Sequence, residues 1–145
     1  MSALHLNLFF DLNRAHALSS RRFDAELGGV HGIGLNDLQL LVALDQAPDR
    51  RLRRIDLAHQ LGVTASGVTW MLRPLIKRRL VASEASADDA RVAFAVLTEG
   101  GRRLVAEATP SGRQLAADLL AAGLNKKELV RVAEWIARLA GAPEK

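Results

Sequence analysis

The chain has 145 residues, 49% of them apolar and 25% charged, with no cysteine. That length suits one domain, and that composition suits a packed globule rather than a disordered chain. Disulfides, cysteine zinc sites and thiol chemistry are excluded. The net charge is only +4, yet 16 of the 20 basic residues are Arg and their placement is uneven. Residues 48–80 carry Arg50, Arg51, Arg53, Arg54, Arg73, Lys77, Arg78 and Arg79 against Asp49 and Asp56, a local net of +6. Such a cluster fits a polyanion partner. It equally fits a solvated helix face, and charge alone leaves the two open. Residues 1–11 hold no Lys or Arg, and no uncharged apolar run approaches the roughly 18 residues of a membrane helix. The expectation is a soluble, cytoplasmic protein with no membrane partner.

Residues 3–27 read as one long helix. Leu4, Leu8, Leu12, Ala15, Leu18 and Phe23 recur at near-helical spacing, and Leu6, Phe9 and Phe10 widen the stripe enough to face both a core and a second subunit. Gly28, Gly29, Gly32 and Gly34 are expected to break it. A second helix opens at Asn36 or Asp37, either of which can accept the free N–H groups of a first turn, and Pro48 closes the segment. A third helix spans about 54–61, and a fourth starts at Ala65 with Thr64 as its N-cap. The period then changes. Residues 81–84 and 91–97 read as two strands of a hairpin, and in the second Val92, Phe94 and Val96 alternate with Ala93 and Ala95. Thr98-Glu99 opens a fifth helix reaching about Ala122, which Pro110 is expected to kink or interrupt. Asn125-Lys126-Lys127-Glu128 resembles a capping box. The last helix carries Leu129, Val132, Ile136 and Leu139 on one face, which packs on its own chain or against another subunit.

The sharpest signal lies between Arg54 and Arg73. Two helices meeting at a tight angle need a small residue on the first, here Ala58. They need a turn residue that tolerates positive φ, here Gly62. They also need a buried aliphatic residue on the second, here Val68. Leu57, Leu61, Val63 and Met71 supply the apolar flanks. These are the slots of a DNA-binding helix-turn-helix, whose second helix enters the major groove. Its outward face holds Ser66, Thr69, Trp70, Arg73 and Lys77. Ser and Thr can bond to base edges or phosphates, and Arg73 has the fork for guanine. Trp70 either packs on a thymine methyl or sugar, or leans back onto the protein. Pro74 should bend the helix near Trp70. Arg53 and Arg54, at the start of the supporting helix, are placed to meet phosphates.

From Leu35 to Leu104 the residues resemble the MarR family of bacterial winged-helix regulators. The matching stretches are Leu57-Ala58, Leu61-Gly62-Val63-Thr64, Val68-Thr69, Lys77-Arg78 and Leu80-Val81, then Asp89-x-Arg91 and Leu97-Thr98-Glu99-x-Gly101. The resemblance implies a mainly α fold with a small β-hairpin wing. It implies a winged helix-turn-helix over 35–103, flanked by dimerisation helices at 1–34 and 104–145. It implies a homodimer on a pseudo-palindromic operator in double-stranded DNA, repressing transcription in response to a ligand. In the wing, Arg91 stands at the family's minor-groove arginine and Asp89 at the aspartate that orients it. The expected DNA-facing set is therefore Arg53, Arg54, Thr64, Ser66, Thr69, Trp70, Arg73, Lys77, Asp89 and Arg91. The family commonly has a basic residue where Trp70 stands, an acidic one at Arg73 and glycine at Arg79, and Pro74 is atypical. An operator unlike that of typical relatives follows.

No enzyme constellation is visible. His5, His16, His31 and His59 are scattered, and no HExxH, G-x-S-x-G or P-loop string occurs. No cofactor and no metal site is expected, with His5 and His16 read as surface or interface residues. A winged helix used only for protein–protein contact is the competing reading, against which the +6 segment argues. By resemblance, a small aromatic effector would sit between the dimer helices and the winged helix, with Phe9, Phe10, Arg14 and Phe23 as candidate lining.

Overall fold

The structure, a computed structural model, describes residues 3–141. The expected C-terminal helical region therefore extends by residues 142–145 outside the described part. The first helix, α1 (Ala3–His31), outlasts the first two of its glycines. Gly28 and Gly29 lie inside it, and the break comes at Gly32, whose φ of 68° is the left-handed conformation that ends helices. Next comes α2 (Leu35–Gln46), which opens on Gly34 rather than on Asn36 or Asp37. Asp37 still satisfies a first-turn donor, but by reaching back 2.9 Å to the Gly34 N–H, while Asp24 of α1 accepts from Leu35 N–H at 2.8 Å.

After a short 3-10 turn at Pro48–Arg50, the chain forms a strand absent from the sequence reading, β1 (Arg51–Arg53). Three residues reading Arg-Leu-Arg are too few to show a period, and only tertiary pairing makes them a strand. Helices α3 (Arg54–Leu61) and α4 (Ala65–Lys77) follow, then β2 (Val81–Ala85) and β3 (Ala93–Leu97). The sheet has the order β1-β3-β2, all antiparallel, with Arg51 opposite Val96 and Val81 opposite Leu97. The expected hairpin is thus two strands of three. Its buried face is Ala95 and Leu97, while Phe94 and Val96 stay half-buried on the other side. The small residue points inward because α2 and α3 already fill the space beneath the sheet.

The main core gathers Leu40, Leu41 and Leu44 of α2, Leu57 and Ala58 of α3, Val68, Leu72 and Leu75 of α4, and Val81, Ala95 and Leu97 of the sheet. A second, smaller cluster joins α1 to α5 (Glu99–Ala121) through Leu27, Ile33, Leu38 and Ala108, with Phe23 packed against it. Pro110 does not interrupt α5, which runs through it to Ala121. The last helix, α6 (Lys126–Leu139), carries the expected capping box: Glu128 takes the Asn125 N–H at 2.8 Å and Asn125 Oδ1 takes the Glu128 N–H at 3.0 Å.

Where α5 begins, the chain is tightly knotted to the end of α4. Thr98 Oγ1 donates to the Arg79 carbonyl at 2.6 Å and accepts from Gly101 N–H at 3.0 Å. Thr98 N–H donates to the Leu80 carbonyl at 3.1 Å. A Cβ on buried Gly101 would overlap that Leu80 carbonyl and crowd Leu97 Cδ1 at 2.6 Å. The glycine of the Thr98-Glu99-x-Gly101 motif is therefore a requirement of backbone approach. Arg79 has φ 58°, a left-handed conformation that a side chain opposes. Two substitutions should act in opposite directions. Gly101→Ala should cost about 3 kcal/mol, as overpacking against backbone does, and lower the thermal midpoint by roughly 10 °C. Arg79→Gly should raise stability by about 0.5 kcal/mol, the strain relieved less the glycine entropy. Chemical denaturation of the two variants beside the parent chain checks both signs.

Candidate nucleic-acid interface

The turn between α3 and α4 has the expected form. Gly62 takes φ 65°, and the Val63 N–H closes on the Ala58 carbonyl at 3.0 Å. Ala58 is 3% exposed and Val68 is fully buried, so the two helices meet through the small residue and the aliphatic one. Thr64 caps α4 by accepting from Gly67 N–H at 3.0 Å and bonds Ser66 Oγ at 3.1 Å. Thr69 Oγ1 donates to the Ala65 carbonyl at 3.2 Å. All three hydroxyls are exposed and retain lone pairs for a partner.

One face of α4 is committed to the core through Val68, Leu72 and Leu75. The other presents Ser66, Thr69, Trp70, Arg73 and Lys77 to solvent. Trp70 does not lean back into the protein: it is 68% exposed, and the Arg73 guanidinium lies 4.7 Å from its ring centroid. Pro74 lies inside the helix, which continues to Lys77.

The basic cluster is less free than a residue count suggests. Arg50 pairs with Asp45 at 3.3 Å and Arg51 with Glu84 at 3.2 Å, the Arg51 guanidinium also lying 4.3 Å from the Phe94 centroid. Arg53 grips Asp56 with two bonds of 2.7 and 3.1 Å. That bond holds the Asp56 carboxyl below its ordinary range and pushes the Arg53 guanidinium up. Asp56 also offsets two cations at a helix start, where the dipole disfavours them. Arg54 turns inward and bonds Ser83 at 3.1 Å and Thr69 at 3.5 Å, tying α3 to the wing and to α4. Arg78 donates to the Gly32 carbonyl at 2.7 Å, fastening α4 to the end of α1. Of the five cations of this cluster without a carboxylate partner among the described residues, all but Arg54 therefore gather on and just beyond α4: Arg73, Lys77, Arg78 and Arg79.

In the wing, Asp89 and Arg91 form one unit. Asp89 Oδ1 accepts from the Arg91 backbone N–H at 3.0 Å and from Arg91 Nε at 3.2 Å, and Oδ2 accepts from Nη2 at 3.3 Å. The Arg91 side chain is nonetheless 92% exposed. The carboxylate aims the guanidinium without covering it.

The candidate effector residues are not brought together. Phe9 and Phe10 are more than half exposed, Arg14 is exposed, and Phe23 packs into the second cluster. A cleft of about 350 Å³ between α1 and α5 is lined instead by Glu26, Leu27, Val30, Ser111, Gln114, Leu115 and Asp118. Among the described residues no three His, Asp or Glu side chains converge as a metal site. No single helix there is long and apolar enough to cross a membrane.

The fold is that of the MarR-type winged-helix proteins. A MarR family transcriptional regulator from Streptomyces coelicolor, solved in complex with DNA, superposes with TM-score 0.88 at 23% identity over 100% of this chain and 91% of that one. The M. tuberculosis transcriptional regulator MOSR, also in complex with DNA, gives TM-score 0.78 at 26% identity over 92% of each chain. Bordetella bronchiseptica BpsR, whose DNA binding is regulated by 6-hydroxynicotinic acid, gives TM-score 0.80 at 23% identity over 92% of this chain and 98% of that one. No protein-family model and no curated protein matches the chain.

The Asp89–Arg91 unit has a pH signature. The Arg91 side chain first, then its backbone N–H, lower the Asp89 pKa. A lowered carboxyl pKa means the tie is whole above the ordinary carboxylate range and is lost as pH falls through the lowered value. A carbon-detected NMR titration should place the Asp89 midpoint below that of a free aspartate. Arg91→Ala should move it back up, and an unmoved midpoint would show that the two groups do not meet.

Proposed function

We propose that the chain is a sequence-specific DNA-binding transcriptional regulator of the MarR type. It acts as a cytoplasmic homodimer, represses from a pseudo-palindromic operator, and answers to a small aromatic ligand. One observation carries the reading. The whole outward face of α4 is polar or aromatic, exposed, and flanked by cations without carboxylate partners, while its other face is locked into the core. Two solved proteins of the same fold are in complex with DNA, which supports α4 as the major-groove helix. Residues 35–103 then form the DNA-binding unit. Ser66, Thr69, Trp70, Arg73 and Lys77 face the groove, Thr64 caps the helix toward the phosphates, and Arg91, aimed by Asp89, enters the minor groove. Arg53 meets a phosphate by exchanging its Asp56 partner. Arg54 contributes by holding the wing against α4.

Dimerisation is supported by unpartnered apolar surface. Every residue of α6 is exposed, so Leu129, Val132, Trp135, Ile136 and Leu139 line a face with no cover from their own chain. Leu6, Leu8, Phe9, Phe10 and Leu18 of α1 are exposed as well. A patch of that extent marks an interface, and a second copy supplies a matching stripe by symmetry. The regulation of BpsR by 6-hydroxynicotinic acid supports an effector of that chemical kind. With α1 paired to a second copy, Phe9, Phe10 and Arg14 become buried or partly buried and able to line its site.

Sedimentation equilibrium at micromolar concentration should give a dimer. Fluorescence anisotropy on duplex DNA should show affinity falling steeply with salt, and Arg91→Ala should reduce that log–log slope by about one unit. A monomer would contradict the dimer, and an unchanged slope would remove the wing from the interface.

A further inference from the structure

We propose that the stacked Trp70–Arg73 pair reads one dinucleotide step, a thymine followed by a guanine, in the major groove of each half-site. The inference rests on the DNA-binding reading above and goes beyond it in assigning both the bases and the group that reads them.

Trp70 and Arg73 are three residues apart on α4, so their side chains share one face. The Arg73 guanidinium lies 4.7 Å from the indole centroid, and the indole is 68% exposed. Among the described residues the Arg73 side chain has no hydrogen-bond or ion-pair partner, in contrast to Arg53, Arg54 and Arg78. A guanidinium seated over an aromatic ring is held by that contact without using its N–H groups, so its N–H fork stays free. That fork matches guanine O6 and N7 bidentately. Once it is coplanar with the guanine, its two faces look toward the neighbouring base pairs. Trp70 covers one face. The other meets the next base pair along the strand, one rise of about 3.4 Å away.

At a pyrimidine–purine step the right-handed twist brings the C5 edge of the pyrimidine over the groove edge of the purine that follows. The group seated on the open face of Arg73 is then a C5 methyl, which thymine has and cytosine lacks. The guanidinium is sandwiched between the indole and the methyl. A phosphate clamp would carry no base preference.

The test begins with selection of duplexes from a randomised library by the full-length chain. A thymine–guanine step should be enriched at one fixed position of each half-site. Replacing that thymine by uracil removes only the methyl and should weaken binding about fourfold, the worth of one buried methyl group. Replacing it by 5-methylcytosine, with guanine opposite, should restore most of the affinity, and unmethylated cytosine should not. Arg73→Lys and Trp70→Ala should each abolish the thymine–uracil difference. Both positions are exposed, and an unchanged circular dichroism melt confirms folding. An enriched motif without the step, equal binding of uracil, or methyl discrimination that survives Arg73→Lys would overturn the inference while leaving DNA binding intact. Failure to enrich any sequence would overturn the proposed function and the inference together.

Discussion

The first turn of α5 lies directly on the backbone at Leu80, and this close approach fixes how α4, the wing and the long helices meet. Only glycine at position 101 permits it. Three parts of the molecule meet there. Arg79 and Leu80 close α4, Val81 starts the wing, and Thr98 bonds to both carbonyls as it starts α5. Helix α5 then continues into the second cluster with α1. No flexible linker separates the winged helix from the helical region, and Arg78 on Gly32 adds a second tie between them. A displacement of α5 is therefore also a displacement of the base of the wing and the end of α4. In a regulator of the proposed kind, that connection lets a ligand among the long helices alter the spacing of two DNA-reading surfaces.

Charge is distributed by the same logic. Three of the eight cations in residues 48–80 are matched by Asp45, Glu84 and Asp56. Exposed pairs of this kind contribute little stability, so they orient arginines rather than hold the fold. Trading a carboxylate for a phosphate oxygen costs such an arginine little. The cations without acidic partners concentrate at α4 and its end. The charge that counts toward a polyanion is thus smaller than +6 but better focused.

What the sequence made legible was local. The caps at Thr64, Thr98 and Asn125, the bounds of α3, the start of α4, and the Ala58–Gly62–Val68 turn depend on residues within a few positions of one another, and all appear as read. What it concealed was tertiary. The glycines of α1 do not break it because Leu27 is already buried against α5, and β1 exists only because β3 lies beside it. The buried phase of β3 is set by the helices beneath, not by its own alternation. For the candidate site, the outward face of α4 was legible from its period, and Arg79 in a glycine slot was a visible departure. The inward turn of Arg54 was not, because nothing local distinguishes an arginine that meets solvent from one that meets Thr69 and Ser83. The stacking of Arg73 on Trp70 had one trace in the sequence, their spacing of three.

In the proposed regulator, one chain offers α4 and the wing to DNA while α1 and α6 pair it with a second copy. Hydroxyl-radical footprinting of the full-length protein on a duplex selected for binding tests both halves at once. The expected pattern is two protected segments related by a dyad, their centres one helical turn or a whole number of turns apart, about 10 base pairs per turn. Protection of the minor groove should flank each segment where the wings enter. A single protected segment without symmetry, or uniform weak protection along the duplex, would contradict it.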